Sequence, residues 1–198
     1  MSVQETLIAS ITPIYGSSTN YPTFDDCNIY GFREQRQYKT GQAIALGCSY
    51  TYGDGLDREH AWPYQLEQLM DIEVYNFGVQ GGAFDTIVRL AYYWIHKIQP
   101  KYVFVALQFV NRLEYFKDES WHRVLPKSHE FTELLNERNV VMNYRKNMIT
   151  LNDICRNTNL IIDQNLPGTD KLARDKMHPG SDWHKKVAES FSKKVLDI

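Results

Sequence analysis

The sequence contains few cysteines and no long apolar run. Its 198 residues include three cysteines, Cys27, Cys48 and Cys155, and no two of them form a CxxC pair. A sparse, odd number argues against a disulfide framework, and the missing CxxC pair argues against a structural zinc site. The longest nearly apolar stretch, residues 102–110, is far shorter than the ~20 residues that span a bilayer. We therefore expect no membrane insertion.

A large excess of charge of either sign is also absent. Lysine and arginine total 22 and aspartate and glutamate total 24, which gives a net charge of −2. A nucleic-acid binder needs a basic face and an acidic disordered tail needs a run of acids, so we expect neither. No segment fits a phosphate-binding loop and the histidines lack the spacing of metal ligands, so we expect no cofactor and no metal.

The first 18 residues lack the layout of a secretory signal. They carry an acidic Glu5 and no basic start. A secretory signal begins with positive charge and continues with an apolar stretch. The expected compartment is therefore the cytoplasm.

What the sequence does have is enough apolar and aromatic residues for one substantial core. Hydrophobic residues make up 43% and aromatic residues 13%, and the length suits one domain. We expect an irregular N-terminal arm over residues 1–40, with a short helix near Glu5–Ser10, and a domain over 41–198. Apolar patterning from residue 41 predicts strands at 42–46, 73–77, 101–107 and 160–163, and helices at 62–70, 82–98 and 181–196.

This alternation of strands and helices predicts an α/β fold. The nearly continuous apolar run at 101–107 is typical of a parallel strand that is covered on both faces. Residues 112–157 interrupt the alternation as a long charged segment, in which we expect one helix near 130–156. Because this segment follows the end of a strand, we interpret it as a lid-like insertion beside the substrate.

Chemically capable residues follow the predicted strands. Ligands bind beyond the carboxyl ends of the strands in open α/β sheets. Ser49 follows the first strand, Gly81 the second and Asn111 the third, while Asp175 and His178 lie in the loop after the fourth. A serine needs a base to remove its proton, histidine is the usual base near neutral pH, and a carboxylate fixes its tautomer.

At these residues the sequence resembles the SGNH hydrolases, also called GDSL-type esterases and lipases. Four motif blocks occur in the family's order over about residues 41–196. The first, Gly47-Cys48-Ser49-Tyr50-Thr51-Tyr52-Gly53 with Gly55 and a downstream Trp62-Pro63, is similar to the family's nucleophile segment. The last is Asp175-x-x-His178-Pro179-Gly180. The first block is the more specific, because an isolated Asp-x-x-His occurs often by chance.

The resemblance implies a flavodoxin-like three-layer α/β/α sandwich with a mostly parallel central sheet. It implies Ser49 as the nucleophile, His178 as the base and Asp175 as the residue that orients the base. It also implies an oxyanion hole formed by the backbone amides of Ser49 and Gly81 and the side chain of Asn111. The expected activity is a serine esterase, acting on a small-molecule or carbohydrate ester, with acetyl as the first choice of acyl group.

Two positions depart from the family's pattern. Cys48 stands where the family has an aspartate, and the third block reads Gln108-Phe109-Val110-Asn111-Arg112 instead of Gly-x-Asn-Asp. Gln108 is therefore an alternative to Asn111 as the amide donor. The arginines and aromatic residues of the long segment, among them Arg112 and Arg123, suit a polar acyl or sugar ester as well as a lipid.

Several competing interpretations stay open at this point. An acyltransferase would use the same residues, and a catalytically degenerate fold would act as a carbohydrate-binding or structural module. Cys48 is a second candidate nucleophile, although a cysteine at a strand end is more often a small buried residue. His184 in the last predicted helix is interpreted as a packing or capping residue.

Overall fold

The computed structural model describes residues 27–28, 30–117, 120–124, 135–169 and 171–197. The predicted helix near Glu5–Ser10 lies outside these residues. The strands are β1 (Ala43–Gly47), β2 (Val74–Gly78), β3 (Tyr102–Ala106), β4 (Leu113–Lys117), β5 (Ser120–Val124) and β6 (Asn159–Asp163). The α-helices are α1 (Ser49–Tyr52), α2 (Trp62–Met70), α3 (Phe84–Ile98), α4 (Glu137–Ile154) and α5 (Ser181–Leu196), and a 3₁₀ turn covers Arg58–His60.

Four of the strands form a parallel sheet in the order β2-β1-β3-β6. Strand β1 is buried over its whole length because it lies between two neighbours and is covered on both faces. The predicted α/β fold with a parallel central sheet is confirmed. All four strands and all three helices expected around this sheet are present, and their ends agree with the predicted ones to within two residues.

Helices cover the two faces of the sheet and produce the three layers. On one face, α2 and α5 pack together through residues that include Trp62, Leu66, Trp183 and Phe191. On the other face, α3 and α4 cover a larger apolar cluster that includes Trp94 and Leu151. The helical spacing of apolar residues in α3 predicts one inward face, and every residue of that face is buried, which confirms the prediction: Ile87, Leu90, Ala91, Trp94, Ile95 and Ile98.

One residue expected in the core is exposed. The apolar spacing within residues 62–70 predicts that Leu66 and Leu69 both point inward, but the side chain of Leu69 is 52% exposed whereas Leu66 is fully buried. Three residues correspond to 300° of helical rotation, so Leu69 lies about 60° from Leu66. In the last turn of α2 this rotation takes the side chain out of the α2–α5 contact.

Part of the predicted arm packs on the domain without forming a helix or a strand. Phe32 is fully buried, and its ring lies 4.6 Å from that of Phe77 in β2. The buried Arg33 donates hydrogen bonds to the carbonyl oxygens of Gly53 at 2.9 Å and Leu56 at 2.8 Å. The described part of the arm therefore fixes the loop that follows α1.

The long segment after β3 contains a hairpin that the sequence analysis did not predict. Strands β4 and β5 pair antiparallel, with Glu114 opposite Arg123 and Tyr115 opposite His122. The long helix expected near residues 130–156 is present as α4. Because α4 packs against α3, this helix belongs to one of the outer layers of the sandwich. The lid-like role and the predicted domain boundaries stay predictions.

In the part of the chain that the structure describes, no helix is both long enough and apolar enough to cross a bilayer.

Candidate active site

The candidate site lies where the parallel strands end. Strand β1 lies between β2 and β3 in the sheet. The segment that follows β1 packs on one face of the sheet, and the segments that follow β2 and β3 pack on the other face. The carboxyl ends on either side of such a switch point form the usual ligand crevice of open α/β sheets. Ser49 follows β1 here, Gly81 follows β2, and the loop after β6 carries Asp175 and His178.

Ser49 is held at this edge by close contact between α1 and the strands. It is the first residue of α1 and is 5% exposed. A Cβ atom at Gly47 would collide with the side chain of Thr51, and one at Gly78 would collide with the backbone of Tyr52. The two glycines therefore allow α1 to lie directly against β1 and β2, which fixes the position of Ser49.

The loop after β6 forms a tight hydrogen-bonded unit around Asp175. One carboxylate oxygen, Oδ1, accepts the backbone N–H groups of Met177 and His178, both at 3.0 Å. The other, Oδ2, lies 2.5 Å from Nδ1 of His178. Because an ionised carboxylate can only accept, Nδ1 is the donor and Nε2 is left as the basic nitrogen of the ring.

The charge of Asp175 is stabilised by this arrangement. Burial alone would raise the pKa of the carboxyl group, but the N–H groups of His178 and Met177 and the His178 ring lower it by more. The net effect places the pKa of Asp175 below its ordinary value. The residue predicted to orient the base is therefore ionised at neutral pH.

Tyr50 connects the serine segment to the histidine loop. Its ring lies 5.7 Å from the ring of His178 and 5.4 Å from that of Trp183 in α5, in both cases edge to face. On another side it lies 5.4 Å from the ring of Phe109 after β3. The residue next to Ser49 thus contacts the histidine, which brings together the two segments that the sequence separates by about 130 positions.

A carboxylate that the sequence analysis did not single out lies near the base. Asp54 Oδ2 is 3.7 Å from Nε2 of His178, and Asp54 Oδ1 accepts a hydrogen bond from Gln80 at 2.6 Å. Burial raises the pKa of Asp54, and the hydrogen bond from Gln80 and the nearby His178 oppose that rise. No hydrogen bond joins Ser49 to His178 among the described residues. Catalytic hydrogen bonds are often long in unliganded sites and form only with substrate.

Two of the predicted oxyanion donors are available. Within the described residues, the backbone N–H groups of Ser49 and Gly81 donate to no acceptor. Gly81 has a φ of +65°, and a Cβ there would collide with the guanidinium of Arg123, which donates to the carbonyl oxygen of Gln80. Asn111, the predicted third donor, lies in an exposed turn, and its alternative Gln108 is half-buried.

The buried environment of Cys48 does not favour a thiolate. The side chain is 3% exposed, and burial raises the pKa of the thiol above its ordinary value. A nucleophilic cysteine needs a lowered pKa. The interpretation of Cys48 as a small buried residue fits this environment.

The interpretation of His184 as a packing or capping residue is confirmed. Its side chain is fully buried in α5, and Nδ1 accepts the backbone N–H of Trp62 at 3.1 Å. Trp62 is the first residue of α2, where N–H groups lack partners within the helix. Burial lowers the pKa of His184 to about 3, so the ring is neutral in the folded protein near neutral pH.

We expect His184 to make the folded state sensitive to mild acid. Between pH 6.5 and 3 the unfolded chain binds a proton at this histidine and the folded protein does not, so the free energy of unfolding falls as the pH is lowered through this range. At pH 5 this proton binding lowers the free energy of unfolding by about 2 kcal/mol. In the variant His184→Asn the amide oxygen replaces Nδ1 as acceptor and does not titrate. Urea unfolding at pH 7 and pH 5 should show a smaller acid loss in this variant, and equal losses in the two proteins would contradict the assignment.

Among the described residues, one cluster has the spacing to hold a metal ion. It consists of the exposed side chains of Asp57, Glu59 and His60. Exposed acidic groups of this kind are common in proteins without a bound ion, and Asp57 already forms an ion pair with Arg174 at 2.8 Å. The cluster gives no reason to assign a metal.

Comparison with known proteins finds distant structural relatives only. No model of a known family and no curated protein matches the sequence. A solved structure assigned to the G-D-S-L family of lipolytic proteins, from Desulfitobacterium hafniense DCB-2, is 15% identical, with 78% of this chain and 99% of that chain covered and a TM-score of 0.44. The chain is similar to this structure over most of its length, at low sequence identity.

Two further solved structures show the same degree of likeness. AlinE4, an SGNH-hydrolase family esterase, is 14% identical, with 83% of this chain and 75% of that chain covered and a TM-score of 0.41. A two-domain esterase (CEX) active on acetylated mannans is 15% identical, with 80% of this chain and 50% of that chain covered and a TM-score of 0.41. Neither activity nor substrate follows for this chain from likenesses so distant.

Proposed function

We propose that the protein is a serine hydrolase that cleaves a carboxylic ester. Ser49 is the nucleophile, His178 the general base and Asp175 the positioning residue. The observation that carries the proposal is the 2.5 Å contact between Asp175 Oδ2 and His178 Nδ1 at the sheet edge that also presents Ser49. This contact leaves Nε2 as the ring nitrogen that can accept a proton.

The proposed reaction has two halves. The Oγ of Ser49 attacks the ester carbonyl while Nε2 of His178 takes its proton, and the carbonyl oxygen becomes an oxyanion. The carbon–oxygen bond to the alcohol then breaks, and His178 returns the proton to the leaving alcohol. Water attacks the resulting acyl-serine in the same way, releases the acid and restores Ser49.

The oxyanion is proposed to bind at the backbone N–H groups of Ser49 and Gly81. Both groups are without an acceptor in the described part of the chain. Ser49 also stands at the N-terminus of α1, where free N–H groups point outward. Amide donors placed in advance cost no reorganisation during the reaction. A third donor is proposed from Asn111 or Gln108.

The substrate we propose is a polar ester, with an acetylated carbohydrate as the first candidate. The hairpin of β4 and β5 borders the site, because Arg123 of β5 lies on Gly81. Arg112 and Arg123 give this border a polar character. A purely apolar acyl chain would offer neither guanidinium group a hydrogen-bond acceptor.

Labelling with a fluorophosphonate tests the proposed nucleophile. The folded protein should gain the mass of one adduct per chain, and fragmentation of the labelled peptide should place the adduct on Ser49 and not on the adjacent Cys48. Protein unfolded in urea is the control and should gain none, because activation depends on the assembled site. An unlabelled folded protein, or an adduct on another residue, would contradict the proposal.

A further inference from the structure

Two arginines at the edge of the site have charges that the described protein does not neutralise. Arg112 follows β3 and Arg123 lies in β5. The Nη1 atom of Arg112 is buried and has no hydrogen-bond partner among the described residues. Buried polar groups are nearly always hydrogen-bonded, so an unpaired guanidinium nitrogen calls for an explanation.

The neighbours of Arg112 hold it in place without supplying a negative charge. Its guanidinium lies 3.9 Å from the centre of the Phe109 ring, and that ring contacts Tyr50 beside the base. Cys48 and Tyr50 act electrostatically on Arg112, and both are uncharged at neutral pH because burial raises their pKa. No acidic side chain within the described residues forms an ion pair with Arg112.

Arg123 has a carboxylate nearby, but that carboxylate is already paired. Glu114 accepts hydrogen bonds from Arg89 at 2.7 Å and 2.9 Å and from Thr86 at 3.0 Å. Among the described residues, Arg123 donates a hydrogen bond to the uncharged carbonyl oxygen of Gln80. Burial lowers the pKa of Arg123, and repulsion from the positive charge of Arg112 lowers it further. Both effects disfavour the positive charge on Arg123.

The acids at the site are engaged elsewhere. Asp175 is bound to His178, and Asp54 is held by Gln80 and lies against the same histidine. Two guanidinium groups therefore border the site, one beside Gly81 and the other connected to the base through Phe109 and Tyr50. A carboxylate on the substrate would pair with the free Nη1 of Arg112 and relieve the repulsion between the two arginines.

We propose that the site selects esters that carry a carboxylate group, with Arg112 as the principal anion-binding residue and Arg123 in support. This inference rests on the proposed esterase function and narrows its substrate class. The carboxylate of the bound substrate would then lie at the border of the site that the hairpin forms. Uncharged acetyl esters would react without this contribution.

Paired substrates of equal size test the selectivity. The anionic mono-4-nitrophenyl adipate is compared with the uncharged 4-nitrophenyl adipamate, which places the carboxylate on the acyl side. The anionic 4-acetoxybenzoate is compared with 4-acetoxybenzamide, which places it on the alcohol side. In at least one pair kcat/KM should favour the anion by about tenfold to a hundredfold, and the pair that does so identifies the side.

Variants assign that preference to Arg112. Arg112→Gln should bring the ratio of anionic to uncharged kcat/KM close to one, Arg112→Lys should retain part of it, and the exposed Arg156→Gln should retain all of it. High salt should reduce the wild-type ratio. A wild type without preference in either pair, or an Arg112→Gln variant that keeps it, would overturn the inference.

A binding measurement separates this inference from the proposed reaction. If wild type hydrolyses no member of either pair, the esterase proposal fails, and thermal unfolding with free adipate then tests anion binding alone. Adipate should raise the Tm of the wild type and of Arg156→Gln but not that of Arg112→Gln. An equal rise in all three proteins, or none in the wild type, would overturn the anion site.

Discussion

Replacing Ser49 with alanine should lower the kcat for p-nitrophenyl acetate by several powers of ten. Removal of the nucleophile from a comparable triad lowers kcat by about 10⁶-fold. The fold should tolerate the change, since it removes one oxygen from a side chain at the start of a short helix. The measurement is steady-state turnover, with the circular dichroism spectrum and Tm recorded to show that the variant is folded.

Cys48→Ala is the matched control for this experiment. It removes the neighbouring side chain at the same strand end, and that side chain is the other candidate nucleophile. Because burial keeps the Cys48 thiol protonated, its removal should lower turnover by less than about tenfold. The opposite result, in which Ser49→Ala is active and Cys48→Ala is not, would identify Cys48 as the nucleophile.

The layers of the fold could be predicted because the signals for them are local. A strand buried on both faces has to be apolar at nearly every position, as β1 and β3 are. Helix α3 repeats apolar residues at helical spacing along its length. These patterns depend on short segments of sequence, and burial in the structure follows them closely.

The hairpin of β4 and β5 was not predicted although its two strands are close in sequence, because no regular apolar–polar alternation marks them as strands. Its residues mix aliphatic, charged and aromatic types without strict alternation, which is also compatible with an exposed loop. Glu114 finds its partner Arg89 on α3, and Tyr115 stacks on His122 across the pair. Such contacts form only when the chain folds, and no regular spacing of apolar residues in the sequence predicts them.

The candidate site shows the same difference between local contacts, which the sequence predicts, and long-range contacts, which it does not. The spacing of Asp175 and His178 places both in one turn, so their pairing follows from local sequence once the turn forms. The approach of Asp54 to Nε2 and of Arg123 to Gly81 depends on tertiary packing. An acid between Gly53 and Gly55 was visible in the first motif block, but nothing in the sequence placed it beside the histidine.

Asp175→Asn should lower kcat by about 10³- to 10⁴-fold while the protein stays folded. The asparagine oxygen can still accept the N–H groups of Met177 and His178, so the turn should persist. The amide NH₂ would face Nδ1 of His178 as a donor and favour the tautomer that carries its proton on Nε2. A histidine in that tautomer cannot take the proton of Ser49, so the loss should fall on kcat and much less on KM.

The matched control for this variant is Asp182→Asn. Asp182 lies in the first turn of α5 near the same loop, and its ion-pair partner within the described residues is the exposed Lys171, at 3.3 Å. Turnover should therefore change by less than about twofold. Labelling by the fluorophosphonate should slow in parallel with kcat in Asp175→Asn, because both reactions need the same base. A purely structural role for Asp175 would instead lower the Tm and leave the kcat of the folded fraction unchanged. Equal losses of kcat in the two variants would also remove Asp175 from its assigned role, since the effect would then come from loss of negative charge near the loop and not from the tautomer of His178.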